Sequence, residues 1–178
     1  MKTHWLINTK KIGFLFLAVI FFTSLLCPSV IAAGRTQTVE QLLASDVEPD
    51  GVVFEVLSWD PQTWRWAAPL LKQYRTDLQK KFPDLDVAVV SHGGEQFQLT
   101  KDNAAKQPEA IMTLQNLSGE GVNVHVCGTH SSWQDIPESD YLDFINVSPS
   151  GPAQINDYLK MGYTRVLLNK PANPQTHD

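Results

Sequence analysis

Between Val52 and Leu168 the spacing of apolar positions changes repeatedly from a period of two to a helical period, and each change marks an element. VVFEVLSW, Val52 to Trp59, is rich in β-branched and aromatic residues and predicts a strand. Asp60-Pro61 then signals a helix start, with Asp60 as N-cap and Pro61 in the first turn. Trp64, Ala67, Ala68, Leu71, Tyr74 and Leu78 follow at helical spacing as far as Lys80-Lys81. DVAVVS, Asp86 to Ser91, is a second strand running into His92-Gly93-Gly94. Gln96 to Pro108 is polar and irregular, with room for a short helical turn. Ile111, Leu114 and Leu117 set a helix over Glu109 to Ser118, stopped by Gly119-Glu120-Gly121. A third strand (Val122 to Cys127), a fourth (Tyr141 to Val147), a helix from Pro152 to Met161 closed by Gly162, and a fifth strand (Thr164 to Leu168) complete the order. Strands alternating with helices predict an α/β domain built on a mainly parallel five-stranded sheet with helices on both faces.

The first 33 residues follow a different pattern. Lys2, Lys10 and Lys11 precede the uncharged run Ile12 to Leu26, and Val30-Ile31-Ala32-Ala33 supplies small residues for cleavage. That order predicts a secretory signal peptide and a periplasmic protein; the alternative is an uncleaved anchor in the inner membrane. The apolar run is shorter than the roughly 20 residues of a spanning helix. The chain therefore divides into 1–33, signal peptide or anchor; 34–50, a flexible leader in which Val39, Leu42 and Leu43 can form one docking turn; 51–169, the α/β domain; and 170–178, a disordered tail.

The charge balance follows from this division. The 178 residues carry 14 Lys+Arg against 19 Asp+Glu, a net of -5, and three of the bases lie in the N-terminal segment, so the remainder is more acidic still. No basic run longer than Lys80-Lys81 is left, which argues against a nucleic-acid partner and against attachment to anionic lipid. Only two cysteines are present, Cys27 and Cys127, so a disulfide scaffold and a four-cysteine zinc module are excluded. Cleavage would leave Cys127 as a single thiol in an oxidising compartment.

In an open parallel sheet, ligands sit beyond the carboxyl ends of the strands. Two of those ends carry reactive residues, His92 and Cys127. In the third strand Val122, Val124 and Val126 form one face and Asn123, His125 and Cys127 the other, whereas a strand covered on both sides is ordinarily apolar throughout. That face looks either onto a polar cleft or a subunit contact, or it holds His125 as a hydrogen-bonded core residue. Cys127 is in turn either a small buried hydrophobe or a nucleophile. Its strand-end position, Gly128, and the donors of Thr129-His130-Ser131-Ser132 favour the nucleophile. A phosphatase or rhodanese loop would need Arg where Trp133 stands, and His92-Gly93-Gly94 lacks the spacing of a dinucleotide loop. His125-x-Cys127-x-x-His130, with His92, offers soft and imidazole ligands but matches no standard zinc spacing, so no metal or cofactor is assigned. Trp59, Trp64 and Trp66 are expected in the core or an interface, and Trp133 over a cleft.

Three stretches, VAVVSHGGEQFQL (Val87 to Leu99), EAIMTLQNLSGEGVNVHVCGTH (Glu109 to His130) and INVSPSGPAQINDYLKMGYTRVLL (Ile145 to Leu168), together resemble the DsrE/DsrF-like, YchN-fold proteins. The most specific pieces are His92-Gly93, the Gly-Val-x-Val-x-Val-Cys-Gly of Gly121 to Gly128, and Gly162-Tyr163. The resemblance implies a three-layer α/β/α sandwich that assembles as a homo-oligomer, a trimer or hexamer. It also implies that Cys127 matches the cysteine that holds a persulfide in sulfur-relay members. Those members work in the cytoplasm, so their acceptors are not carried over to a chain with an export segment. The expected function is a sulfur carrier of sulfurtransferase type exchanging with a sulfur donor or acceptor, either a protein or a small sulfur compound. In it Cys127 is the acceptor, His130 or His125 assists the thiolate, and His92 shapes the cleft. The alternative is a non-catalytic oligomeric, small-ligand or metal-binding module with a structural Cys127.

Overall fold

The computed structural model describes residues 36–171. The strands are β1 (Val52–Val56), β2 (Val87–Ser91), β3 (Asn123–Cys127), β4 (Ile145–Ser148) and β5 (Thr164–Leu167). The helices are α1 (Val39–Ala44), α2 (Thr63–Lys81), α3 (Lys101–Ala104), α4 (Pro108–Gly119), α5 (Gly128–Ser132) and α6 (Gly151–Lys160). All five strands are parallel, in the order β4-β3-β2-β1-β5. The expected α/β sheet is therefore present, and it is parallel throughout.

The period-two pattern decides which helix covers which face. Val52, Phe54 and Val56 of β1, Val89 of β2, and Val124 and Val126 of β3 enter one core with Trp64, Ala67, Ala68 and Leu71 of α2 and Leu114 and Leu117 of α4. On the opposite face Val53, Ala88 and Val90 meet Ile155 and Tyr158 of α6. Each fully buried Val, Leu, Ile or Phe side chain on these faces contributes about 1.5–3 kcal/mol of burial free energy, so apolar burial is a main force holding the helices on both faces. Among the described residues the result is a three-layer sandwich with α1, α2 and α4 on one side and α6 on the other.

Several boundaries move for local reasons. α2 starts at Thr63 rather than at Pro61, because Asp60 is spent earlier: its Oδ1 accepts the Gln62 N–H at 2.8 Å, and its carbonyl accepts the Thr63 hydroxyl at 2.7 Å. β4 begins at Ile145 rather than Tyr141, since Tyr141 is drawn into an isolated antiparallel bridge with Thr100. The polar stretch after His92 is ordered as a 3-10 helix, Gly94–Leu99, followed by α3.

The expectation of a flexible leader over 34–50 is revised from Thr36 onward. Thr38 and Gln41 close a reciprocal capping box at the start of α1, and Val39 and Leu42 are buried in the main core. Thr36 bridges to Arg165 beside β5, with Gln37 N–H donating to the Arg165 carbonyl at 3.0 Å. This is the docking turn that Val39 and Leu42 permitted. The expected signal segment 1–33 and nearly all of the tail 170–178 lie outside the described residues. Among the described residues, no helix is long and apolar enough to cross a membrane.

Candidate functional site

The chain parts at the end of β3. The connection leaving β2 enters the α4 layer and the connection leaving β4 enters the α6 layer, and the carboxyl edge between these layers is where such sheets bind ligands. Cys127 stands there as a free thiol, 6% exposed.

Its backbone is held by Gln96, which the sequence did not single out. The Gln96 Oε1 accepts the Cys127 N–H at 2.8 Å and its Nε2 donates to the Cys127 carbonyl at 3.3 Å. Ser131 Oγ donates to the same carbonyl at 2.9 Å and meets Tyr141 Oη at 2.7 Å. Gln96 is fully buried, and so is its neighbour Glu95. The Glu95 carboxylate gathers the turn after β2: Oε1 accepts from Ser91 Oγ at 2.7 Å and from Gly93 N–H at 3.0 Å, and Oε2 accepts from Ser58 N–H at 2.8 Å. One 3-10 turn thereby ties the ends of β1, β2 and β3 together.

Two glycines permit close approaches around Cys127. A methyl group on Gly128 would lie 2.9 Å from the Ser148 carbonyl oxygen, so only glycine lets β3 and β4 end this near each other. A methyl group on Gly151, in the first turn of α6, would lie 2.6 Å from Cβ of His92 and 3.3 Å from Cβ of Cys127. The N-terminal turn of α6, with its excess of unpaired N–H groups, therefore rests against both side chains.

The three histidines separate in the structure. His92 follows β2 on the α6 face, and its Nε2 lies 2.8 Å from Glu55 Oε1; both side chains are 12% exposed. Arg165 stands behind at 3.4 Å from Glu55 Oε2. The hydrogen bond with His92 holds the Glu55 carboxyl below the usual carboxylate range, with Arg165 adding to it against the opposing effect of burial. His125 lies two residues down β3 from Cys127, about 6.6 Å away along the strand. Its Nδ1 is paired with Ser148 Oγ at 3.0 Å and its Nε2 with Tyr158 Oη at 2.8 Å, and burial lowers its pKa. His125 is thus half-buried on the α6 face with both ring nitrogens engaged. His130 is 8% exposed, with Nδ1 3.2 Å from the His92 carbonyl, and its ring packs edge-on against Trp59, Phe97 and Trp133. Trp64 is buried as expected, but Trp59 is 75% exposed and joins Trp133, 72% exposed, in walling His130. Among the described residues, no three His, Cys, Asp or Glu side chains converge to hold a metal.

An all-parallel α/β sandwich with one free thiol at its carboxyl edge is the class this geometry defines. The DsrE/DsrF-like family model matches residues 66–167, more than half of the chain, and the chain belongs to that family. Two solved structures share the fold. MTH1491 of Methanobacterium thermoautotrophicum, a protein of unknown function, superposes with a TM-score of 0.55 at 20% identity over 66% of this chain and 97% of that one. The ychN protein of E. coli gives 0.51 at 13% identity over 66% and 97%. Comparison with curated proteins gives no match.

Proposed function

We propose that this protein handles sulfur, with Cys127 carrying sulfane sulfur as a persulfide. The observation that carries the reading is the position of the free thiol: it ends β3, its backbone is clamped by Gln96, and a glycine-headed helix rests against it. Sulfur chemistry needs a thiolate, and a helix N-terminus favours negative charge beside it. In the step proposed, the Cys127 thiolate attacks the outer sulfur of a hydropersulfide R–S–SH. The bond between Cys127 and that sulfur forms, the R–S bond to it breaks, and the electron pair leaves on RS⁻, which takes up the proton given up by Cys127. No net oxidation occurs, and the reverse step passes the sulfur to an acceptor thiolate.

The partner is a protein or small compound able to give or take sulfane sulfur. We also assign the chain to the periplasm, on the signal-like N-terminal segment, and to a trimer or hexamer. Leu57 and Leu167, at the ends of adjacent β1 and β5 on the α6 side of the sheet, are 52% and 43% exposed and suit a contact with a further copy. Native mass spectrometry of the exported protein reads both assignments.

The competing reading, a non-catalytic module, draws on the burial of Cys127. Exposure of the full chain to inorganic polysulfide, followed by peptide mass analysis, decides between them. Gain of one sulfur on Cys127 is expected. No gain under conditions that load a control thiol, together with alkylation only after denaturation, would establish the structural role.

A further inference from the structure

Near the carboxyl edge on the α6 face, three neighbouring strands present a carboxylate, an imidazole and a thiol, with Glu55 paired to Val90 two residues below the level of His92. Ser91 pairs with Val126 in the β2–β3 ladder, so the next residues, His92 and Cys127, stand side by side beyond it. Both pack directly against Gly151, where a Cβ would lie 2.6 Å from Cβ of His92 and 3.3 Å from Cβ of Cys127, so the two side chains lie close together under the first turn of α6. On the other side of His92, Glu55 of β1 holds Nε2 at 2.8 Å and is itself backed by Arg165 of β5.

We propose that His92 is the group that takes the Cys127 proton and that Glu55 is its positioning residue. This rests on the sulfur-carrier reading and supplies its proton route. An ionised carboxylate only accepts hydrogen bonds, so the contact with Glu55 fixes the hydrogen on Nε2 and leaves Nδ1 with the lone pair. The Cys127 S–H proton moves to Nδ1, giving a thiolate and an imidazolium. Glu55 stabilises that imidazolium through Nε2. After the thiolate takes the outer sulfur of the hydropersulfide, the Nδ1 proton passes to the departing RS⁻, and His92 is neutral again. Among the described residues Nδ1 of His92 makes no hydrogen bond, so the proton transfer requires Cys127 and His92 to draw together when the sulfur donor binds, as catalytic contacts commonly do.

The alternatives in reach do not offer this. His125 has both nitrogens engaged, and His130 is walled by three aromatic rings with Nδ1 on the His92 carbonyl. The groups facing His92 are Glu55 from β1 with Arg165 of β5 behind it, Cys127 from β3 and His130 from α5; α6 contributes Gly151, which carries no charge.

The test is the pH profile of Cys127 alkylation by iodoacetamide in the full native chain. Glu55→Gln is expected to move the midpoint upward by about one pH unit, which is about tenfold in rate at neutral pH, with Glu55→Asp falling between. His92→Gln is expected to move it as far, and the double variant no further, because the two residues act as a unit. A Glu55→Gln profile that superposes on the wild type, or effects that add in the double variant, would overturn the proposal. Nitrogen-15 spectra of His92 in the wild-type protein give a check that needs no variant to fold: the neutral ring must carry hydrogen on Nε2, and hydrogen on Nδ1 refutes it. These readouts do not use sulfur uptake. A shifted profile with no sulfur gained on Cys127 would leave the proton route standing and remove the carrier reading.

Discussion

Gln96, fully buried against the end of β3, and His125, half-buried within β3, are polar side chains each occupied in holding its neighbours. Gln96 spends its amide on the backbone of Cys127, and His125 spends both nitrogens on Ser148 and Tyr158. For His125 this has a consequence in acid. Its pKa in the fold is lowered by burial from the ordinary value of about 6.5. The unfolded chain therefore binds the proton first, and stability is lost as pH falls from about 6.5 toward the lowered folded value. Glu55 adds a second loss at lower pH, since its folded carboxyl is below the range of the unfolded one. Thermal melts across this range are expected to show the first loss in the wild type and not in His125→Gln; an equal loss in both would refute the assignment. Cys127 and His92 were legible in the sequence because strand ends are where such sheets do chemistry. Glu55 was not, since alternation alone reads it as an ordinary outward position of a strand. Glu95 and Gln96 were hidden in a polar stretch whose burial depends on three strand ends meeting over it.

At the scale of elements, α6 matters most to the site. Among the described residues it is the sole helical cover of its face, and it reaches the thiol through Gly151. Gly151→Val is expected to cost about 1–3 kcal/mol in urea denaturation, because the added carbons would meet Cβ of His92 at 2.6 Å. It is also expected to slow modification of Cys127. Gly119→Ala, at the end of α4 where no atom lies within 4 Å of the added methyl, is the control; it is expected to leave stability equal or up to about 1 kcal/mol higher and Cys127 modification unchanged. Equal behaviour of the two variants would contradict the close approach. The order and type of nearly all the main elements could be read from hydrophobic period. The start of α2 could not, because Asp60 makes its hydrogen bonds before the helix begins. The short helix α5 directly after Cys127 was not marked by any apolar period, and its Ser131 returns to the carbonyl of Cys127.

For the whole molecule, the return of β5 to the far side of β1 places Arg165 behind Glu55 and lets the segment from Thr36 dock beside it. Alternation in the sequence predicted the sheet but not this return, because strand order is set by which faces the helices cover. Native mass spectrometry of exported protein is expected to give subunits lacking the first 33 residues, assembled in threes or sixes; a monomer of intact chains would refute both the cleavage and the assembly. The central claim rests on Cys127. Its most direct test is the mass of the Cys127 peptide after the native protein meets inorganic polysulfide: one added sulfur, absent from a Cys127→Ser variant, is the predicted result. An unmodified Cys127 beside a fully loaded control thiol would contradict the account.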